Sequence, residues 1–191
     1  GQNVLVSLIV AAILTTLLGM GMPTPSAYIL AAVLISPVMQ SLGIDQMAGH
    51  LFILYFAVMS ALTPPVAVAA YAASAIADEN PLVIAAQAVK IAIGAFLIPF
   101  AFIYQPGLLL NGSVVEIVVA VVTSIAGLAL IALAVEGYYR TVYRWGPRLL
   151  MMGAGGLLLF GGWLFALVAV LVAAVGWGWN RMMVSRQLPG T

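Results

Sequence analysis

Cysteine is absent from this chain, which excludes disulfides, thiolate metal sites and thiol nucleophiles. Charge is nearly absent too. Asp, Glu, Lys and Arg make up 6% of its 191 residues, against about 25% in an ordinary soluble domain. With 65% hydrophobic residues and a mean hydropathy of +1.22, the chain has too little polar surface to cover itself in water. Lipid is therefore its solvent, and the chain reads as an all-α integral membrane protein. The net charge of +1 is spread thinly, so nucleic acid is not an expected partner. Within the apolar stretches there is no acid–base pair, metal cluster or nucleophile–base set, so catalysis and cofactor chemistry are not expected. The opening Gly1-Gln2-Asn3 shows neither an initiator Met nor a basic n-region. The apolar run that follows it at once reads as the C-terminal part of a longer polypeptide.

What the chain does have is long apolar runs broken by glycine and proline. Residues 4–18 run unbroken to Gly19, and residues 25–39 form a second run stopped by Gln40-Ser41-Leu42-Gly43. Over 4–39, the length fits either two full spans or a re-entrant hairpin. Residues 50–77 form one long segment interrupted in its middle. Each arm has about 12 residues, roughly 18 Å at 1.5 Å per residue, so the two arms make one interrupted span. Residues 86–104 and 114–135 read as further spans. The region 149–179 reads as a helical hairpin turning at Gly161-Gly162, because Arg140, Arg144 and Arg148 before it and Arg181 and Arg186 after it should all lie on the cytoplasmic side. The C-terminus is then cytoplasmic, the 106–113 loop outside, and the 50–77 segment runs from outside to inside.

The interruptions carry the chemistry. They are Gly19-Met20-Gly21-Met22-Pro23-Thr24-Pro25-Ser26 and Ser60-Ala61-Leu62-Thr63-Pro64-Pro65. Non-helical backbone at membrane depth is tolerated where protein or a water-filled cavity satisfies it. Paired interruptions of this kind point to an ion or substrate site in a transporter. In each, Thr precedes Pro, which reads as an N-cap followed by the first helical residue. A helix starting there aims free N–H groups at a carboxylate, which makes Pro25, Ser26, Pro64 and Pro65 candidate substrate-facing N-termini. The arms ending before the breaks offer carbonyls and hydroxyls, hard oxygen ligands for a cation such as Na⁺. About 40 residues separate the breaks, which lets them face each other. A simpler reading makes both breaks packing kinks in a noncatalytic scaffold or accessory subunit.

Leu62-Thr63-Pro64-Pro65-Val66, followed by small residues and Ile76-Ala77, resembles a signature of the large membrane subunit of tripartite ATP-independent periplasmic (TRAP) transporters, with Ala67 where that family often has Gly. Leu18 to Thr24 resembles the tip of its second re-entrant hairpin, and the C-terminal part resembles fused permeases that partner TAXI-type binding proteins. The resemblance implies half of an ion-transporter-like elevator fold over 1–110 (hairpin 4–39, broken helix 50–77, span 86–104). A C-terminal membrane extension follows over 111–191. It also implies Na⁺ as coupling ion at Gly19, Gly21, Thr24, Ser60 and Thr63, import of organic acids, and a multi-pass protein of the bacterial inner membrane. The implied partners are a periplasmic solute-binding protein of TAXI type, the remaining N-terminal half of the permease, and membrane lipid.

Other polar residues have plainer readings. His50 reads as a solvated interfacial imidazole rather than a proton relay, Lys90 as snorkelling, and Glu116 as lying at headgroup level. Glu136 and Arg140 form an i,i+4 pair if the helix continues that far. Arg140, Arg144 and Arg148 read as topology determinants. Trp145, Trp163, Trp177 and Trp179 suit interfacial anchoring.

Overall fold

The structure is a computed structural model that describes residues 3–139, 141–143 and 145–185, the side chains of 139, 141, 142, 162–164 and 181–185 excepted. Arg140, Arg144 and Arg186, and the side chains of Arg181 and Trp163, lie outside the described residues. The described chain is helical apart from a two-residue antiparallel ladder, and it divides after Ile103 into two units.

The first unit holds α1 (Val4–Gly19), α2 (Thr24–Ser41), α3 (Gln46–Met59), α4 (Val68–Ala77), α5 (Pro81–Ile91) and most of α6 (Ile93–Tyr104). Local caps start several of these helices. Asn3 Oδ1 accepts from Leu5 N, Asp45 Oδ1 from Ala48 N and Asn80 Oδ1 from Leu82 N. Helix α1 is apolar nearly all round, so what separates inside from outside on it is mostly side-chain size. On α1 the buried face reads Leu8, Ala11, Ala12, Thr15, Thr16, Gly19, while Leu5, Val6, Ile9, Val10, Ile13, Leu14 and Leu17 stand exposed. On α2 the buried row is Ala27, Ala31, Ile35 and Met39. Small residues on these buried faces let the backbones of α1, α2 and α3 approach closely, while on α3 the large Phe52, Ile53 and Phe56 are themselves buried. Phe52 and Phe56 of α3 carry the core on to α6, with Phe52 and Phe100 edge to face at 5.1 Å.

The 86–104 span is corrected at its start. The helix begins at Pro81 and bends by 43° at Ala92 into α6. Lys90 sits in the last turn before that bend.

In the second unit, a 3₁₀ turn (Pro106–Leu109) leads to α7 (Val114–Glu136). The ladder β1 (Tyr138–Tyr139) and β2 (Thr141–Val142) follows, then α8 (Trp145–Phe160) and α9 (Gly162–Ser185). A capping box starts α7: Ser113 Oγ accepts from Glu116 N, and Glu116 Oε2 accepts from Ser113 N at 2.7 Å. Glu116 is exposed at that end. Gly127 and Gly155 cross where α7 passes α8, so closely that a methyl group on either would come within 2.8 Å of the other's carbonyl oxygen. After the break at Gly161, α9 returns antiparallel to α8, with Gly176 beside Leu150 and Gly146 beside the Trp179 ring.

Three readings change in this unit. The helix does not continue to Arg140, as an i,i+4 pair with Glu136 would require, because α7 ends at Glu136 with Gly137 left-handed at φ +72°; Arg140 itself lies outside the described residues. Arg148 lies on a helix rather than in a loop. Its Nε donates to Ala134 O and its Nη2 to Val135 O, both at 2.7 Å, closing carbonyls that the end of α7 leaves open. Its guanidinium also stacks over the exposed Trp145 ring at 5.2 Å. Gln105, which the sequence shows only as a span end, is buried and donates through Nε2 to Leu158 O (3.0 Å) and Leu159 O near the end of α8.

Candidate ion site at two abutting helix breaks

The first break occupies residues 20–23. Met20 N donates to Leu17 O and Met22 N to Gly19 O, while Gly21 takes φ +77°, a conformation that glycine adopts without steric cost. Helix α2 starts at Thr24 behind Pro23, with Pro25 second. The expected Thr24 cap is displaced by one residue, within the ordinary scatter of helix ends.

The second break spans residues 60–67, and here the displacement is larger. The expected start at Thr63-Pro64 is replaced by one at Val68, behind a left-handed Ala67 at φ +37°. Thr63 and Pro64 each precede a proline, which disfavours the helical region for both residues. The chain turns instead, with Thr63 N donating to Ser60 O, Ala67 N to Thr63 O and Ala69 N to Ala61 O. Pro64 and Pro65 are therefore exposed turn residues, not a helix N-terminus. Pro25 and Ser26 do lie in the first turn of α2, both exposed.

The two breaks touch. A methyl group placed on Gly19 would lie 2.5 Å from Ser60 Oγ, 2.9 Å from Ser60 Cβ and 3.4 Å from Ala27 Cβ. One placed on Gly21 would lie 3.7 Å from Val66 Cγ1. Gly19 and Ser60 are thus brought together, Gly21 lies against Val66 of the same second break, and Thr63 stands one turn of backbone beyond Ser60. Ser60 Oγ donates to Ala57 O at 2.7 Å, and Thr63 Oγ1 to Met59 O at 2.8 Å. Each hydroxyl spends its proton on the backbone, which leaves its oxygen lone pairs able to accept. Thr24 is half-buried at the start of α2.

Sequence reasoning missed Thr15. It is fully buried one turn before Gly19, and its Oγ1 has no hydrogen-bond partner. Its i,i+4 spacing to Gly19 puts both on one helix face, and that spacing was the available signal. The reading of His50 as solvated also changes: the ring is half-buried between α2 and α3, with both nitrogens near hydroxyls.

An apolar chain whose two mid-helix breaks abut is the membrane part of a transporter in outline. The family model described as "Tripartite ATP-independent periplasmic transporter, DctM component" matches residues 1–117, which include both breaks. The chain belongs to the DctM family. No curated protein and no solved structure matches it. DctM components are integral inner-membrane permeases of TRAP transporters, a transporter family rather than an enzyme class. They work with a periplasmic binding protein and a small membrane component.

Proposed function

We propose that this chain is the C-terminal part of a Na⁺-coupled TRAP permease that imports organic acids handed over by a periplasmic binding protein of TAXI type. The contact of Gly19 with Ser60 carries the reading, because it gathers oxygen-bearing backbone and hydroxyls from two helix breaks into one place. Na⁺ takes oxygens of Gly19, Gly21, Thr24, Ser60 and Thr63, mainly backbone carbonyls, while the first-turn N–H groups of α2 near Pro25 and Ser26 attract the substrate carboxylate. In this reading α1 and α2 form a re-entrant hairpin. At 16 residues, α1 is about 24 Å long, short of the roughly 30 Å hydrocarbon core. Helices α3 and α4 are the two arms of a broken span, and the arginines of the α7–α8 loop and of the tail are cytoplasmic.

The test uses radioactive ²²Na⁺ bound by the full permease reconstituted in lipid. Thr63→Val keeps the shape and removes one oxygen, so it should weaken ²²Na⁺ binding by about tenfold, the loss of roughly one ligand interaction. Unchanged binding in Thr63→Val and Ser60→Ala together would leave the two breaks as packing kinks.

A further inference from the structure

His50 is the only histidine of the chain and stands in the second turn of α3. Tyr28 Oη lies 3.0 Å from its Nδ1, and Ser36 Oγ lies 3.4 Å from its Nε2. Gln40 Nε2 in turn donates to Ser36 Oγ at 3.4 Å. All three partners belong to α2. A hydrogen-bonded row therefore follows the α2–α3 seam from exposed Gln40, beside the interhelical loop, to Tyr28, one turn from Thr24 at the first break. The other buried residues of α2 are apolar (Ala27, Ala31, Ile35, Met39), with Met39 beside Gly49 of α3, and neither the packing nor the proposed Na⁺ site needs an imidazole here.

We propose that His50 is a proton-binding site that fastens α2 to α3, so that acidification holds the first break more tightly against the second. A neutral imidazole offers one N–H and one bare nitrogen, so one of the two hydroxyls must donate to it. The imidazolium donates from both nitrogens, and both hydroxyl oxygens then accept. A hydroxyl hydrogen rotates freely, so the switch moves no heavy atom. Ser36 Oγ keeps a second lone pair while it accepts from Gln40. Charge-assisted bonds are roughly twice as strong as neutral ones, so one proton strengthens both links across the seam. The proton comes from water at the Gln40 end and returns there, and nothing else is consumed.

The surroundings leave the ring as the responsive group. Helix α1 carries no titratable side chain, α2 only Tyr28, and α3 besides His50 only Tyr55. Residues 93–103 of α6 carry none. Asp45, at the start of α3, accepts from Ala48 N as its cap.

The inference needs no substrate and stands apart from Na⁺ coupling, so it is tested on the full permease by thiol accessibility. In a cysteine-free background, Met39→Cys places a buried thiol of α2 beside Gly49 of α3, reachable only when the seam opens. Its maleimide labelling rate at pH 8 and pH 6 is divided by the rate in the same protein carrying His50→Gln, which cancels the thiol's own pH dependence. The ratio should fall about fivefold on acidification, and Tyr28→Phe should remove most of the fall. A ratio that ignores pH overturns the proposal. Should the His50→Gln protein fail to fold, Tyr28→Phe serves as the denominator. ¹⁵N resonances of the ring that do not move in Tyr28→Phe overturn it equally.

Discussion

At Gly19 a single hydrogen occupies a place where no carbon fits. Gly19→Ala would drive its methyl group into Ser60, so the end of α1 must withdraw from the second break. Overpacking of this kind costs about 1–3 kcal/mol, and the thermal midpoint of the purified permease should fall accordingly. Adding Ser60→Gly removes the obstructing atoms, and the double variant should regain part of that loss; simple additivity of the two changes would show that the residues do not meet. Sequence alone marks both Gly19 and Ser60 as parts of helix breaks. That they touch is a tertiary fact across 41 positions, and no local spacing encodes it. Thr15 was harder to see, since a hydroxyl in the middle of an apolar helix gives no local sign of whether it is satisfied. Arg148 shows the opposite failure. Its charge drew a topological reading, and the open carbonyls at the end of α7 that it closes were overlooked.

At the scale of elements, hydropathy identifies these helices but not their faces, because lipid-facing and core-facing positions are both apolar. Side-chain size does the sorting, and the crossing of α7 and α8 at Gly127 and Gly155 is its sharpest case. Gly127→Leu puts a large side chain against the Gly155 carbonyl, Leu158 and Leu159. It should separate the pair and lower resistance to denaturing detergent, by about 1–3 kcal/mol if the helices can partly re-pack. An unchanged unfolding midpoint in a detergent titration would deny the close crossing. The start of α7 was legible, where Ser113 and Glu116 form a strong cap, whereas the Asn80-Pro81 start of α5 was read five residues late, at 86. Two other places were misread as well. At the bend at Ala92 the one local sign is Gly94, and a single glycine within an apolar run does not by itself mark a break. The Thr63-Pro64-Pro65 run looks like a helix start, yet two successive pre-proline residues postpone the helix to Val68.

Across the whole molecule, the apolar composition and the scarcity of charge already specified a membrane protein, and the family match over residues 1–117 agrees with the motifs read there. Orientation rests on a few arginines and is open to direct measurement. If the arginines lie inside, so that α7 crosses once and α8 with α9 returns, a reporter inserted at Gly112 should be accessible from the periplasm, and one placed after Thr191 only from the cytoplasm. Both reporters on the same side would contradict that path.

The unequal lengths of the helices also bear on how the protein is made. Among the described residues, α7 is the one uninterrupted helix long and apolar enough to cross a bilayer by itself. The insertion machinery can release such a segment into lipid as soon as it emerges. Helices α1, α3 and α4 are each too short for that, and the polar backbone at their ends has no shelter until a neighbour arrives. They should therefore remain beside the ribosome-bound channel until their partners have been synthesised, and enter the bilayer together.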